Sequence, residues 1–99
     1  HHIFVIENLD NDLIIASGTI LVEPKLIHNF GFVGHIEDII VDSSYRNIGL
    51  GKLITSFLVE HAKSLKCYKV IMSCNNNNVK YYKKLGFIKK DNCMSIYFD

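Results

Sequence analysis

Apolar and polar positions change their period twice along the chain. Ile3-Phe4-Val5-Ile6 is a β-branched and aromatic run, residues 8–12 are a polar cluster, and residues 13–22 form a second β-favouring run. Two such runs about a short polar break predict an antiparallel hairpin. Gly18 inside the second run predicts a bulge or a close backbone approach. Pro24 closes that strand, and residues 25–34 read as a connecting loop. A third strand is expected over residues 35–41, with Ile36, Asp38 and Ile40 on one face and Glu37, Ile39 and Val41 on the other. Carboxylates on both faces of an isoleucine-rich strand place it beside something polar.

Beyond Asp42-Ser43-Ser44 the period becomes helical. Leu50, Leu53, Ile54, Phe57, Leu58 and Leu65 fall in the apolar stripe of an amphipathic helix. Lys66 adds a favourable charge at its C-terminal end. Residues 68–74 alternate loosely and read as a strand, so strand, crossover helix and strand imply a parallel pair. Residues 75–78 are four asparagines, a loop in which Asn77 or Asn78 suits a helix N-cap. Val79, Tyr82 and Leu85 give the next helix its apolar side, and Gly86 suits the left-handed position that ends helices. Phe87-Ile88 and residues 94–98 are expected as two closing strands about the turn Asp91-Asn92. The fold class is α/β (α+β): a mixed, mostly antiparallel sheet with a central parallel pair and flanking helices. Residues 1–99 read as one domain without repeats.

Composition narrows the function. At 99 residues and 48% hydrophobic, the chain can build one small core. A net charge of +1 gives no electrostatic footprint for nucleic acid or an anionic membrane. The apolar runs are too short to span a bilayer, no charged-then-apolar leader opens the chain, and a cytoplasmic location is expected. Cys67, Cys74 and Cys93 lack metal or redox spacing, and an odd count fits no disulfide framework, so free thiols are expected. The five histidines are scattered, and no metal is expected.

The chemistry concentrates at Arg46-Asn47-Ile48-Gly49-Leu50-Gly51, between a strand and a helix start. Glycines there let several N–H groups point at one place, the helix dipole adds partial positive charge, and Arg46 and Lys52 add formal charge. A pyrophosphate needs that arrangement, although an ordinary strand-to-helix turn has the same spacing. The loop resembles the R/Q-x-x-G-x-G/A loop of the GCN5-related N-acetyltransferase (GNAT) superfamily, which holds the pyrophosphate of acetyl-CoA.

The resemblance extends along almost the whole chain. Lys25-Leu26-Ile27-His28, Gly34-His35-Ile36-Glu37-Asp38-Ile39, residues 45–53, Cys67-Tyr68-Lys69 and the segment from Asn78 through Tyr82 to Phe87 stand in order. Together they look like the eukaryotic glucosamine 6-phosphate N-acetyltransferases. Those enzymes carry a strand and helices before the point matching Ile3, and part of the sugar site lies there. The resemblance implies acetyl-CoA as donor, and an acetyl group moved to the amine of glucosamine 6-phosphate for UDP-N-acetylglucosamine synthesis. It implies that Ile39, Ile40 and Val41 pair with the pantetheine arm, that residues 46–51 hold the pyrophosphate, and that Asn78 holds the arm. Tyr82 would face the sulfur. Glu37 and Asp38 would line the amino-sugar pocket and serve catalysis, while Lys25, His28, Tyr68 and Lys69 would reach the sugar phosphate. A homodimer formed through the C-terminal strands is implied as well. Ser73 stands where the family usually has an acidic residue, and Tyr97 where it usually has an arginine.

Acetyl transfer from a thioester needs an unprotonated amine, a donor for the oxyanion and a proton or hydrogen bond for the thiolate. The Ile39 N–H suits the oxyanion, Tyr82 the thiolate, and Glu37 or Asp38 the ammonium proton. Plainer readings exist for each residue. Tyr82 suits a core position, Glu37 and Asp38 a solvated edge, His35 a structural role, and Lys83, Lys84, Lys89 and Lys90 a solvated basic face. Two other functions fit the sequence: a GNAT enzyme for another small amine or a protein N-terminus, and a non-catalytic acyl-CoA-binding module.

Overall fold

The computed structural model describes residues 2–25 and 31–98. A meander of β1 (His2–Asn8), β2 (Leu13–Pro24) and β3 (Phe32–Val41) is followed by helix α1 (Leu50–Ser64), strand β4 (Cys67–Ile71) and the short helix α2 (Val79–Lys84). The four strands lie in the order β1-β2-β3-β4. β1, β2 and β3 are antiparallel neighbours, and β4 runs parallel to β3 at one edge. The mixed, mostly antiparallel sheet and the helix-bearing parallel crossover are those expected from the sequence, but the parallel pair, expected at the centre, lies at the edge because no closing strand is added beyond β4 among the described residues. The hairpin turn also follows from its residues. The Asn8 Oδ1 accepts the Asp10 N–H at 2.9 Å, the Asn11 Oδ1 accepts the Leu13 N–H at 3.1 Å, and Asp12 takes φ 57°.

Gly18 meets the close approach expected of it, while the bulge lies opposite it, on β3. Ser17 pairs with Ile40 and Thr19 with Glu37, so Gly18 alone faces two residues of β3, Asp38 and Ile39. This is a bulge in β3, with Asp38 at φ 55°. The extra residue inverts the alternation beyond it. Ile36 and Ile39 pack on the core, while Ile40 is 61% exposed. The expected face of Ile36, Asp38 and Ile40 is therefore corrected: a strict period of two fails where the strand carries a bulge.

On the other side of Gly18 stands α1. A Cβ at Gly18 would lie 2.8 Å from Leu58 Cδ1, and one at Gly34 would lie 3.3 Å from the Ala62 Cβ. The helix thus sits down on the sheet over two strand glycines. Ile54, Thr55, Leu58 and Ala62 are its buried residues. Thr55 is satisfied by donating its hydroxyl to the Gly51 carbonyl at 2.7 Å. Leu53 and Phe57, expected in the buried stripe, are exposed. The small residues Thr55 and Ala62 allow the closer approach and turn the larger pair outward.

The C-terminal third departs further from expectation. Gly86 takes φ 102° and ends α2 as expected. Asn78 occupies the N-cap position of α2 but makes no side-chain capping bond. Phe87 packs against the core. Neither Phe87-Ile88 nor residues 94–98 forms a strand, and Met94, Ile96, Tyr97 and Phe98 are almost fully exposed. β-Favouring composition alone does not make a strand; its N–H and C=O groups need a neighbouring ladder, and none reaches this segment among the described residues.

Gly18→Val puts a branched side chain into the Leu58 contact. Overpacking of this kind costs about 1–3 kcal/mol, which chemical denaturation measures. Adding Leu58→Ala is expected to cost less on the Gly18→Val background than on the wild type.

Candidate active site

Pairing between β3 and β4 ends at His35 opposite Ile71. β3 runs on to Val41, whereas the chain after Ile71 leaves the sheet towards α2. The strands separate where the bulge bends β3, and a cleft of about 600 Å³ opens between them. Glu37, Asp38, Ile39, Asn78 and Tyr82 all line it. Five residues predicted from sequence for chemistry or donor binding are thus brought together from β3 and the start of α2. Without a capping bond, the Asn78 amide is free to face the cleft.

Tyr82 is half-buried and held by two rings. Tyr81 lies 5.1 Å away at 81°, and Phe87 lies 5.8 Å away at 77°. Burial first, then the neighbouring Tyr81 and Cys74, raises its phenol pKa above the ordinary 10.0. The hydroxyl therefore keeps its proton throughout the neutral range and can donate it.

The glycine loop lies close to the far end of this cleft. Its entry is pinned by Asp42, whose N–H donates to the Ile15 carbonyl at 2.8 Å and whose Oδ1 accepts the Ser44 N–H at 2.9 Å. The 3₁₀ turn Ser43–Tyr45 follows, and the Tyr45 Oη accepts from Asn8 Nδ2 at 2.9 Å. Arg46 is extended and exposed, and Asn47 (φ 65°) and Gly49 (φ 86°) are left-handed. Gly49 caps α1, with its carbonyl accepting the Leu53 N–H at 3.0 Å. The first N–H groups of α1 have no acceptor within the helix, and its first turn holds no acidic residue. Anions are favoured there. A Cβ at Gly51 would lie 3.3 Å from Tyr81 Oη and 3.9 Å from Val41 Cγ2. Loop, β3 and α2 therefore meet at one place. Ile40 and Val41 run between the cleft and this loop, while Ile48 is exposed and Leu50 opens the helix.

Lys25, Tyr68 and Lys69, expected to reach a sugar phosphate, are not in the cleft wall. Tyr68 and Lys69 lie on β4 before Ile71, with Lys69 Nζ 5.7 Å from the Tyr68 ring centre. The register explains their position: Lys69 pairs with Val33, upstream of the opening. Lys25 makes a 3.1 Å ion pair with Glu23. His28 lies outside the described residues.

Two cleft residues were given other readings from sequence. Cys74 lines the cavity beside Ser73, and its free thiol is exposed. His35 also lines it, and its Nε2 lies 2.8 Å from Glu23 Oε1. His35 first and Lys25 second hold the Glu23 carboxyl below its ordinary value of 4.5. One signal for His35 was available: it stands two residues before Glu37, on the same strand face. Its carboxylate partner was not visible, because Glu23 comes from a different strand. Among the described residues, no group of three or more His, Cys, Asp or Glu side chains is placed to hold a metal ion, and no helix is long and apolar enough to cross a membrane.

Comparison with known proteins agrees with this architecture. The profile of the Acetyltransferase (GNAT) family matches residues 1–87. The chain is 46% identical over 99 residues to the glucosamine 6-phosphate N-acetyltransferase of Arabidopsis thaliana, covering 100% of this chain and 66% of that protein. It is 42% identical to glucosamine 6-phosphate N-acetyltransferase 1 of Oryza sativa subsp. japonica, over 99% of this chain and 59% of that protein. The crystal structure of the Arabidopsis enzyme matches with a TM-score of 0.93 and 45% identity, covering 98% of this chain and 66% of that one. An acetyltransferase fold from Clostridium acetobutylicum, solved with acetyl-CoA, is 23% identical with a TM-score of 0.78, over 96% of this chain and 62% of that one. The two plant enzymes are longer, and the chain spans about 59% to 66% of their length. Its strand order, crossover helix and matched profile make the chain a member of the acetyltransferase (GNAT) family.

In alkaline spectrophotometric titration, Tyr82→Phe is expected to remove the phenol that ionises above the ordinary tyrosine range. Loss of an ordinary component instead would contradict the burial of this hydroxyl.

Proposed function

We propose that the chain is the acetyl-CoA-binding and catalytic core of a glucosamine 6-phosphate N-acetyltransferase. The observation that carries this reading is the cleft between β3 and β4: it unites Glu37, Asp38, Ile39, Asn78 and Tyr82 in a chain whose two plant relatives described above bear that name. The geometry suits acetyl-CoA as donor. Beyond His35 the β3 edge is released from β4, so Ile39 to Val41 offer backbone groups to an extended pantetheine amide chain in the manner of an added strand. Arg46 and the amides from Asn47 to Gly51 hold the pyrophosphate at the start of α1. Asn78 steadies the arm from the opposite wall.

Within this reading the thioester carbonyl lies at the bulge. Ile39 has no register partner on β2, and its N–H stabilises the developing oxyanion. Tyr82, protonated and fixed by two rings, donates to the departing sulfur. Glu37 and Asp38 attract the acceptor's ammonium and bind its hydroxyls. Tyr68 and Lys69, further along the same sheet, and Lys25 just beyond β2 are assigned to the phosphate end of the acceptor; the resemblance assigns His28 there as well. Holding amine and thioester together supplies several kcal/mol of the acceleration, on the order of 7–11 kcal/mol at best.

The reading includes a cytoplasmic homodimer. Its support is the exposed apolar tail, where Met94, Ile96, Tyr97 and Phe98 lack a strand neighbour; a second copy offers one. The placement of Ser73 in the cleft, where the family usually has a carboxylate, favours a broader acceptor range as the second reading. Acetylation of another small amine is then the main activity.

Thiol release with glucosamine 6-phosphate and with glucosamine tests the assignment. Faster turnover of the phosphorylated sugar is expected; equal rates, or a preference for an unrelated amine, would leave the second reading. Tyr82→Phe removes one hydroxyl. Its kcat is expected to fall about 100-fold while the KM for acetyl-CoA holds, and a mutant with full kcat makes Tyr82 a packing residue.

A further inference from the structure

The acetyl-transfer reading leaves one proton without an owner. An amine enters as an ammonium ion and must lose a proton before it attacks. Glu37 and Asp38 are both exposed, and neither is oriented by a side-chain hydrogen bond among the described residues. His35 is different. It lines the cleft, and Glu23 fixes its ring through a 2.8 Å contact to Nε2.

Chemistry settles the tautomer. Glu23 is held below the ordinary glutamate value, so it is ionised at neutral pH. An ionised carboxylate only accepts, so the hydrogen between the two groups sits on Nε2. Nδ1 of a neutral ring then carries the lone pair, and no protein partner for it is found among the described residues. A carboxylate that orients an imidazole and stabilises the imidazolium is the arrangement that suits a base. Imidazole is also the side chain most often used for such a proton transfer.

We propose that His35, oriented by Glu23, is the general base that takes the acceptor's ammonium proton on Nδ1. This inference rests on the acetyl-transfer reading of the cleft and divides the work within it. Glu37 and Asp38 hold the cation, and His35 deprotonates it, directly or through one water. The freed amine forms the C–N bond, the C–S bond breaks, and the sulfur takes a proton from Tyr82, which recovers it from the second proton released by the nitrogen. The imidazolium returns its proton to water, so each turnover releases one proton. Three charged groups share the sheet face of His35: Glu23 on β2, Glu37 on β3, and Lys69 on β4 beside its register partner Val33; a fourth, Lys25, just beyond the end of β2, is ion-paired with Glu23 at 3.1 Å. The ring thus stands among two carboxylates and two ammonium groups.

His35→Gln keeps a donor for Glu23 and removes the base. Near neutral pH its kcat is expected to fall about 100-fold with the KM for acetyl-CoA unchanged. The deficit should shrink as rising pH deprotonates the amine without help. A deficit constant with pH makes His35 structural, and an unchanged kcat also overturns the proposal. Long-range proton–nitrogen NMR of the wild-type ring provides a readout independent of turnover: the Nε2–H tautomer is expected, and Nδ1–H overturns it. If the wild type acetylates a different amine, the substrate reading fails while the same variant test runs with that amine. A wild type that acetylates no amine overturns both.

Discussion

Two glycines in the sheet allow α1 to lie close against it, and the rest of the structure follows from that close seat. Gly18 receives Leu58 and Ile54, and Gly34 receives Ala62. The interior is close-packed around Ile20, Ile36, Leu58 and Ala62. A helix seated this way fixes both of its ends. Its N-terminus is held where β3 finishes, which places the glycine loop beside Val41 and Tyr81. Its C-terminus returns the chain through Lys66, at φ 66°, into a parallel β4. The parallel ladder is short because β4 is short. The cleft is what remains of β3 once the ladder has ended.

The two walls of the cleft have different mechanical support. The β3 wall belongs to the sheet and carries Asp38 and Ile39 on a bulge that is itself locked opposite Gly18. The α2 wall is a helix of six residues preceded by a 3₁₀ turn. Its attachment to the core runs through Phe87, which touches both the core and the Tyr82 ring. A backbone fixed by the bulge thus faces a phenol set by aromatic packing. The Tyr82 phenol keeps its proton because that packing removes water from its hydroxyl.

The legible parts of the sequence were those written in local chemistry. Glycine spacing at a helix start marked the loop, and Gly86 marked the end of α2. Gly18 announced a close approach that the structure contains. Long-range consequences were harder to read. A bulge shifts every later side chain by half a period, so Ile39 and Ile40 exchanged the faces assigned to them. Leucine and phenylalanine dominated the expected stripe of α1, yet threonine and alanine hold buried positions because distance to the sheet, not hydrophobicity, decides there. The tail at residues 94–98 has the composition of a strand without a neighbour to make it one. His35 was readable as polar and near two carboxylates; its partner on another strand was not.

Asp38 shows how backbone and chemistry meet at one position. Its φ of 55° lies in the left-handed region, inside a strand. Glycine and asparagine enter that region at least as easily as aspartate. Backbone ease alone therefore does not select aspartate there. An exchange to asparagine would keep the turn of the chain and discard the charge, whereas an exchange to glutamate would keep the charge and fit the turn less well. Such a residue has almost no conservative replacement. Attempts to stabilise the fold at this point will be settled by whether the cleft still needs its carboxylate.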